Sequence, residues 1–184
     1  MKNTLIVIPT YNEVDNIKAI ICELLAIDES YHVVVVDDSS PDGTGSLVDE
    51  LIPQYSGRLF LESRPKKEGL GLAYLHAFRW ALKHNYKFIF EMDADFSHNP
   101  QDVPKMEAEL KKGTDVVIGS RYIDGINVVN WPLGRILLSL SASYYVKFFT
   151  GLPVKDPTAG FVGYRVEVLE AIDLDSVRFV GYAF

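Results

Sequence analysis

The chain has 184 residues with 18 basic and 25 acidic side chains, a net charge of −7, and 48% of its residues are hydrophobic. That hydrophobic fraction excludes a disordered or collagen-like chain, because such sequences bury too little apolar surface to offset the entropy of ordering. The length favours a single domain over residues 1–184, and the acidic balance argues against a nucleic-acid partner, which requires clustered Lys and Arg.

Cysteine usage and the N-terminal sequence indicate the compartment. Cys22 is the single cysteine, so no intramolecular disulfide can form and a reducing cytosol is the expected location. The apolar run that begins at Leu5 meets Pro9 after a few residues, which is too short for the core of a signal peptide. No apolar stretch approaches the roughly eighteen residues that a membrane span requires. We therefore expect a cytoplasmic chain.

The N-terminal part of the sequence predicts two units of a strand followed by a helix. Leu5–Pro9 is a continuous apolar run, and the apolar positions within residues 14–25 recur at helical spacing. Asn12 and Asp15 are the predicted N-cap pair of that helix. A second buried strand, His32–Val36, precedes a second amphipathic helix.

The alternation continues along the rest of the chain. The further predicted elements are a strand at Leu59–Leu61, a helix at Leu72–Asn85, a strand at Phe88–Met92, a helix at Pro100–Lys112, a strand at Asp115–Gly119 and a turn into one more strand at Asp156–Arg165. Strands that are apolar on both faces and alternate with amphipathic helices indicate a sheet covered on both sides. The predicted class is α/β, a doubly wound and mainly parallel sheet.

Ligands of such sheets bind beyond the carboxyl ends of the strands. Four polar segments follow predicted strands, namely Thr10–Glu13, Asp37–Gly45, Asp93–Pro100 and Ser120–Arg121. We therefore expect the functional residues within these four segments.

The third segment contains two carboxylates, Asp93 and Asp95, that point to the same side if the chain is extended. Two such carboxylates repel each other unless a cation lies between them or one is protonated. Mg²⁺ or Mn²⁺ suits these oxygen ligands and takes its remaining ligands from phosphates and water. The alternative is an ordinary turn or helix-capping device.

Other polar residues allow more than one interpretation. A carboxylate of the pair Asp37 and Asp38 could accept hydrogen bonds from a ribose or a nucleobase edge, but the two aspartates could equally form an Asx-turn with the residues that follow. Gly69 and Gly71 fit neither a dinucleotide-binding fingerprint nor a P-loop, and they indicate a helix start. His98 has no partner at ligand spacing and is predicted to be a surface or core side chain.

The combination of motifs is more specific than any one of them. The sequence reads PTYNE after the first strand, DDSSPDGT after the second, MDADFSHNP after a later one and GSRY after the next. Together these motifs resemble the family 2 glycosyltransferases, whose nucleotide-sugar-binding fold is called GT-A. With DPTAGF further on, they are most similar to the dolichyl- or polyprenyl-phosphate mannose synthases. The resemblance covers essentially the whole chain.

The resemblance implies a role for individual residues at the nucleotide end of a donor site. Pro9, Tyr11 and Glu13 match the positions that frame a guanine nucleotide. Val36 and Asp38 match positions that complete the same pocket.

At the sugar end, Asp93, Ala94, Asp95 and Ser97 match the segment that holds the donor diphosphate, the sugar and a divalent cation. Within it, Asp95 and Ser97 match the metal-contacting positions, and the implied cofactor is Mg²⁺ or Mn²⁺. Arg121 matches an arginine that approaches the phosphates. The family places further basic donor-binding residues after the point where this chain ends, so we expect a catalytic domain cut off before its last substrate-binding elements.

The implied reaction moves mannose from GDP-mannose to a polyprenyl or dolichyl phosphate with inversion at the anomeric carbon. Asp93, Asp95 and Arg121 are the implied catalytic residues. The acceptor phosphate is already an anion, so no general base is required. Two alternatives remain open, a transferase that uses UDP-glucose or another UDP-sugar and a non-catalytic nucleotide-binding or receiver-like signalling domain.

The charge distribution indicates a membrane contact. Between 121 and 155 four basic residues stand against one acidic residue, a net charge of +3. Residues 133–149 are apolar and aromatic, with Arg135 and Lys147 among them, and such a segment can lie in a membrane interface. Arg135 and Arg121 are candidate contacts for the acceptor phosphate. A helix packed on the sheet with snorkelling cations is the alternative; the first interpretation predicts a peripheral protein at the cytoplasmic face of a membrane.

Overall fold

The structure, a computed structural model, describes residues 2–122, 133–151 and 154–177, without the side chains at positions 2, 133, 135, 136 and 140. Its elements are β1 (Lys2–Thr10), α1 (Ile17–Ile27), β2 (Tyr31–Asp37), α2 (Thr44–Leu51), β3 (Leu59–Ser63), α3 (Leu70–Lys83), β4 (Tyr86–Glu91), α4 (Val103–Lys111), β5 (Val116–Ile118), α5 (Leu133–Thr150), β6 (Val162–Arg165) and α6 (Val166–Ala171). Short 3₁₀ turns lie at Ile52–Tyr55 and Pro100–Asp102.

The described strands form one six-stranded sheet in the order β3-β2-β1-β4-β6-β5. The first four strands of the chain are parallel, whereas β6 runs antiparallel to both of its neighbours, β4 and β5. The carboxyl end of β5 therefore lies at the same edge of the sheet as those of β1 to β4. The predicted α/β class with a mainly parallel sheet is confirmed.

Hydrophobic layers cover both faces of the sheet. On β1, Ile6 and Ile8 face a cluster that includes α1, α2 and α4, while Leu5 and Val7 face a second cluster with α3 and α6. Each fully buried aliphatic side chain contributes roughly 2 kcal/mol. The strand interior is apolar on both sides, as expected for parallel strands that are covered twice.

The start of α1 differs from its predicted N-cap. The N-cap position is Asn16, which makes no side-chain capping bond, and Asn12 lies in the left-handed region with φ 63°. The backbone N–H of Val14 instead donates to Asp42, and that of Glu13 donates to Thr44. The prediction of an Asn12 and Asp15 cap was wrong, because side chains from the loop after β2 satisfy this turn.

Candidate active site

The carboxyl ends of β1, β2 and β4 meet at a cavity of about 260 Å³, here called the strand-end cavity. Its walls are formed by Pro9, Thr10, Tyr11, Glu13, Asp38, Lys67, Gly69, Leu70, Ala73, Asp93, Ala94 and Asp95. Seven positions that the sequence motifs single out, from three separate loops, therefore share one cavity. This convergence follows from the parallel direction of the three strands.

The two aspartates that end β2 have different surroundings. Asp37 accepts hydrogen bonds from the Ser40 backbone N–H at 2.9 Å and from the Thr10 hydroxyl at 3.0 Å. Asp38 lies in the wall of the strand-end cavity. Asp37 therefore forms the turn, as one of the two interpretations expects. Asp38 lines the cavity with a carboxylate that is largely buried, and its contact with a ribose or a base stays a prediction.

Asp38 forms a buried ion pair with Arg64, which follows β3. The Arg64 Nη1 atom lies 3.1 Å from Oδ1 and 3.4 Å from Oδ2 of Asp38, but only the contact to Oδ2 has hydrogen-bond geometry. Among the described residues Asp38 Oδ1 is the buried side-chain oxygen that no hydrogen bond reaches. This oxygen is therefore ion-paired with Arg64 but has capacity to accept a further hydrogen bond.

Asp93 and Asp95 of the loop after β4 differ in acidity. Burial, together with the neighbouring charge of Asp95, raises the pKa of Asp93 to about 6. Burial acts to raise the pKa of Asp95 too, but hydrogen bonds from Ser97 outweigh it and lower that pKa. Asp95 is therefore the more permanent anion of the two.

His98 is largely buried and holds the backbone of the same loop. Its Nδ1 accepts the backbone N–H of Asp93 at 3.0 Å, which leaves Nε2 to carry the proton of the neutral ring, and the ring stacks on Phe161. Burial lowers the pKa of His98 to about 4, so the ring is neutral near pH 7. A Cβ at Gly160 would lie 3.5 Å from His98 and 3.7 Å from Asp93. The turn before β6 therefore packs directly against the acidic loop.

A second acidic group is buried next to this loop. Glu91, at the end of β4, is 4% exposed and accepts a hydrogen bond from the Tyr164 hydroxyl at 2.9 Å. Burial raises the pKa of Glu91 to about 8. The side chain is therefore mostly protonated near pH 7 and adds little charge beside Asp93.

Backbone strain concentrates around the strand-end cavity. Asn12, Ser39 and Phe96 have φ angles of 63°, 54° and 58°, and they lie in the loops after β1, β2 and β4. Left-handed conformations are unfavourable for residues with side chains, above all for a bulky one such as Phe96, and they persist where the surroundings fix them. The three loops that share the cavity are therefore held in defined and partly strained conformations.

Arg121, at the end of β5, pairs with Asp156 instead of lining the strand-end cavity. Its Nε and Nη2 atoms donate to the two carboxylate oxygens of Asp156, each at 2.7 Å, and Nη2 also donates to Thr158 at 2.9 Å. Asp156 is fully buried. The arginine is thus fixed beside the turn that contacts the acidic loop. Its charge adds to burial in lowering the pKa of His98, whereas the charge of Asp95 acts to raise that pKa.

Two other predicted site residues also lie outside the described cavity walls. Val36 is fully buried in the core between the sheet and α3. Ser97 is exposed, and its backbone N–H donates to Asp95 at 2.9 Å. The Arg135 side chain lies outside the described residues. Roles for these three remain predictions.

The sequence motifs assigned no role to Lys67, which lines the cavity, or to Asp156, which binds Arg121. Lys67 follows β3, whose carboxyl end reaches the same sheet edge, so the strand-end rule could have included it. Asp156 lies in the DPTAGF motif, but nothing local in the sequence indicates that Arg121 is its partner.

The donor set fits a divalent cation that is shared with a substrate. Within residues 2–122, 133–151 and 154–177 no three His, Cys, Asp or Glu side chains are grouped as a complete metal site. Mg²⁺ and Mn²⁺ commonly use one or two carboxylates and complete their shell with phosphate oxygens and water. Asp95, with its lowered pKa and its place in the cavity wall, is the carboxylate best suited to such a cation.

Helix α5 presents an aromatic surface to solvent. Tyr144, Tyr145, Phe148 and Phe149 are 65–82% exposed, and at 100° per residue they share one side of the helix. The buried Ser143 lies on the opposite side. Among the helices within the described ranges, none combines the length and the apolarity needed to cross a bilayer. The predicted apolar segment is therefore a helix with its aromatic side uncovered in this structure.

Comparison with known proteins identifies the family. The profile of "Glycosyl transferase family 2" matches residues 5–173. The chain belongs to glycosyl transferase family 2. It is therefore an enzyme of the glycosyltransferase class, and the family resemblance of its motifs is confirmed.

Named relatives of this glycosyltransferase point to one branch. A polyprenol monophosphomannose synthase of Mycolicibacterium smegmatis is 45% identical over 183 residues, which cover 100% of this chain and 69% of the relative. A dolichol-phosphate mannosyltransferase of Pyrococcus furiosus is 37% identical over 95% of this chain and 49% of its own length. The chain thus spans about half of the second relative.

Solved structures confirm that this glycosyltransferase has the GT-A fold. A glucosyl-3-phosphoglycerate synthase of Mycobacterium tuberculosis, solved with Mn²⁺, UDP and glucosyl-3-phosphoglycerate, superposes with a TM-score of 0.67 at 17% identity, covering 93% of this chain and 59% of the other. A mannosyltransferase of Pyrobaculum calidifontis, solved with GDP-Man and Mn²⁺, has a TM-score of 0.59 at 21% identity, covering 91% and 45%. At these identities the likeness concerns the fold alone.

Proposed function

We propose that the protein transfers mannose from GDP-mannose to a polyprenyl phosphate, with inversion at the anomeric carbon and with Mg²⁺ or Mn²⁺ at Asp95. The observation that carries the proposal is the convergence of three motif-bearing loops on one cavity of about 260 Å³. The polyprenol monophosphomannose synthase that is 45% identical supports the choice of sugar and acceptor. The Pyrobaculum structure with GDP-Man and Mn²⁺ is an example of a protein of the same fold that holds this donor and cation.

The nucleotide occupies the end of the cavity near Tyr11 and Asp38. An aromatic ring that is 36% exposed offers a stacking surface for a base. Asp38, whose Oδ1 lacks a hydrogen bond within the described structure, accepts N–H groups of the base edge. Guanine presents adjacent N–H donors at that edge, and a carboxylate matches such a pair.

The diphosphate and the sugar lie toward Asp93 and Asp95. Asp95 holds the cation, and Asp93 orients the sugar or the cation from a more buried position. When bound, the cation offsets the charge that develops on the departing diphosphate. The strained turn at Phe96 and the His98 bond to the Asp93 backbone keep this loop in place, so the chain contributes positioning more than proton transfer.

The acceptor approaches as an anion and needs no base. Arg121 is the candidate to bind the acceptor phosphate, and the two hydrogen bonds that it donates to the Asp156 carboxylate fix the guanidinium plane. The aromatic side of α5 lies in the membrane interface, where Lys147 meets lipid phosphate. The enzyme is accordingly a peripheral protein at the cytoplasmic face of a membrane.

A transfer assay tests the proposal. The full-length protein is given GDP-mannose or UDP-glucose in parallel, each with a short polyprenyl phosphate and with Mn²⁺, Mg²⁺ or EDTA. Mannosyl lipid formed from GDP-mannose with either cation, and lost in EDTA, is the expected result. Transfer from UDP-glucose but not from GDP-mannose would show that the proposed donor is wrong. No transfer from either sugar nucleotide would refute the proposed activity.

A further inference from the structure

The strand-end cavity has one basic side chain, Lys67, among the described residues of its largely acidic walls. Of the described residues that line it, Lys67 alone is basic, whereas Glu13, Asp38, Asp93 and Asp95 are acidic. Lys67 is exposed and belongs to the loop between β3 and α3. None of the sequence motifs assigns it a role.

The neighbouring charges of this loop are already paired. Glu68 forms ion pairs with Arg64 and with Lys66, each at 3.0 Å. Arg64 also pairs with Asp38. In the described structure Lys67 makes a cation–π contact instead, with its Nζ atom 3.9 Å from the centroid of the Tyr11 ring.

A cation–π contact with an exposed ring is weak and is readily exchanged for a contact with an anion. The Lys67 ammonium therefore lies at the cavity without being committed to a carboxylate. The ring that it covers, Tyr11, is the side chain that the proposed function assigns to the nucleotide. A ligand that enters the cavity consequently meets this ammonium.

The backbone adds positive potential on the same side. Gly69 and Leu70 line the cavity at the start of α3, a helix of 14 residues. Gly69 is the N-cap residue, with φ 108°, and as a glycine it has no side chain that could cap the helix. The N-terminus of a helix carries a partial positive charge, so it complements the charge of Lys67 toward an anionic ligand.

We propose that Lys67 is a donor-binding residue, whose ammonium leaves the Tyr11 ring and contacts the diphosphate of the bound nucleotide. This inference rests on the proposed function, because it assumes a nucleoside diphosphate in the strand-end cavity. The ammonium contributes positive charge that the acidic walls lack, and the cation at Asp95 contributes the rest. Loss of Lys67 therefore weakens the binding of phosphates and leaves the binding of the base unchanged.

The experiment compares Lys67→Gln with Lys66→Gln. The two lysines are adjacent and both exposed, but Lys66 pairs with Glu68 and does not line the cavity. GDP binding is measured by calorimetry with Mn²⁺ at low and high salt, and guanosine binding by NMR, which detects millimolar affinity. Lys67→Gln should weaken GDP binding roughly tenfold at low salt and less at high salt. Lys66→Gln should change GDP binding less than about twofold, and neither variant should change guanosine binding.

Two results would overturn the assignment of Lys67. One is GDP affinity in Lys67→Gln that equals the affinity of Lys66→Gln. The other is an equal loss for GDP and guanosine, which would assign Lys67 to the base. If the wild-type protein binds UDP and not GDP, the proposed donor is wrong, and the same comparison is made with UDP and uridine. If it binds neither nucleotide, the proposed function fails together with this inference.

Discussion

Asp156 binds Arg121 through two parallel side-chain hydrogen bonds, Nε to Oδ2 and Nη2 to Oδ1, each 2.7 Å long. A third bond, from the Arg121 backbone N–H to Oδ2 at 3.1 Å, fixes the chain at the end of β5. Although burial acts to raise it, these bonds keep the pKa of Asp156 below its usual value. The pair thus joins two segments that are 35 residues apart.

Replacing Asp156 should destabilise the protein markedly. Asp156→Ala leaves the partly buried Arg121 charge without its carboxylate, and breaking such a pair destabilises by about 3 kcal/mol. The control is Asp115→Ala, which breaks an exposed 3.5 Å pair with Arg165 and should change stability by less than about 1 kcal/mol. Urea denaturation measures both. Equal losses of stability in the two variants would show that the buried pair stabilises the fold no more than the exposed pair does.

Glu91 should make the stability depend on pH. Its pKa is about 8 in the folded protein against an ordinary value of 4.5, so the folded state retains a proton that the unfolded state has lost. Stability is therefore greatest below about pH 4.5 for this group and falls as pH rises to about 8, by at most about 1.4 kcal/mol per pH unit. Asp93 acts in the same direction up to about pH 6.

Glu91→Gln tests this effect, because the amide can still accept the Tyr164 hydrogen bond but does not titrate. The variant should show a flatter fall in stability between pH 6 and pH 8 than the wild type, as measured by urea denaturation at each pH. Glu109→Gln, at a side chain that is 51% exposed, is the control and should follow the wild type. A pH profile in Glu91→Gln that matches the wild type would contradict the buried protonated carboxyl group.

Gly163 of β6 should not tolerate a side chain. A Cβ there would lie 2.7 Å from Phe90 Cδ1 and 2.9 Å from Val117 Cγ1, on the two strands that flank β6. Phe90 is fully buried and cannot move away, so Gly163→Ala should destabilise by about 2 kcal/mol. Gly134→Ala is the control, since no described atom lies within 4 Å of its added Cβ and a helix favours Ala by about 1 kcal/mol. Thermal unfolding distinguishes the two; a neutral Gly163→Ala would mean that the sheet adjusts freely.

The aromatic side of α5 should determine membrane binding. Phe148 and Phe149 are 82% and 67% exposed, and burying one such side chain in lipid is worth about 2 kcal/mol. Phe148→Ser should reduce co-sedimentation with anionic vesicles by roughly tenfold or more. Ile172→Ser, at a side chain that is 46% exposed on another helix end, should leave it unchanged. If both variants bind vesicles like the wild type, α5 does not face lipid.

Much of the fold could be predicted, because apolar runs and helical stripes are local properties of the sequence. The antiparallel direction of β6 could not, since the short segment Val162–Arg165 has the same local pattern in either direction and its neighbours decide its pairing. The start of α1 was predicted wrongly for a similar reason. Asp42 and Thr44, from a loop that is distant in sequence, satisfy the amides that a local cap would have served.

The candidate site could be predicted where a motif follows a strand directly. Tyr11, Asp38 and Asp95 fall in one cavity because the ends of parallel strands meet at one edge of the sheet. The roles of Lys67 and Asp156 could not be predicted, although Asp156 belongs to the DPTAGF motif. Each role depends on a contact made in three dimensions, to Tyr11 and to Arg121. Side-chain pairing across the fold is the information that the sequence pattern lacks.

Crystallography can locate the cation and the nucleotide in the strand-end cavity. Crystals grown with GDP and Mn²⁺ are measured at the manganese absorption edge, and Asp95→Asn is treated in the same way. We expect an anomalous peak within coordination distance of Asp95 and of the diphosphate, with the base beside Tyr11 and Asp38, and no such peak in the variant. Nucleotide bound outside the strand-end cavity, or a manganese peak that remains in Asp95→Asn, would contradict the proposed function.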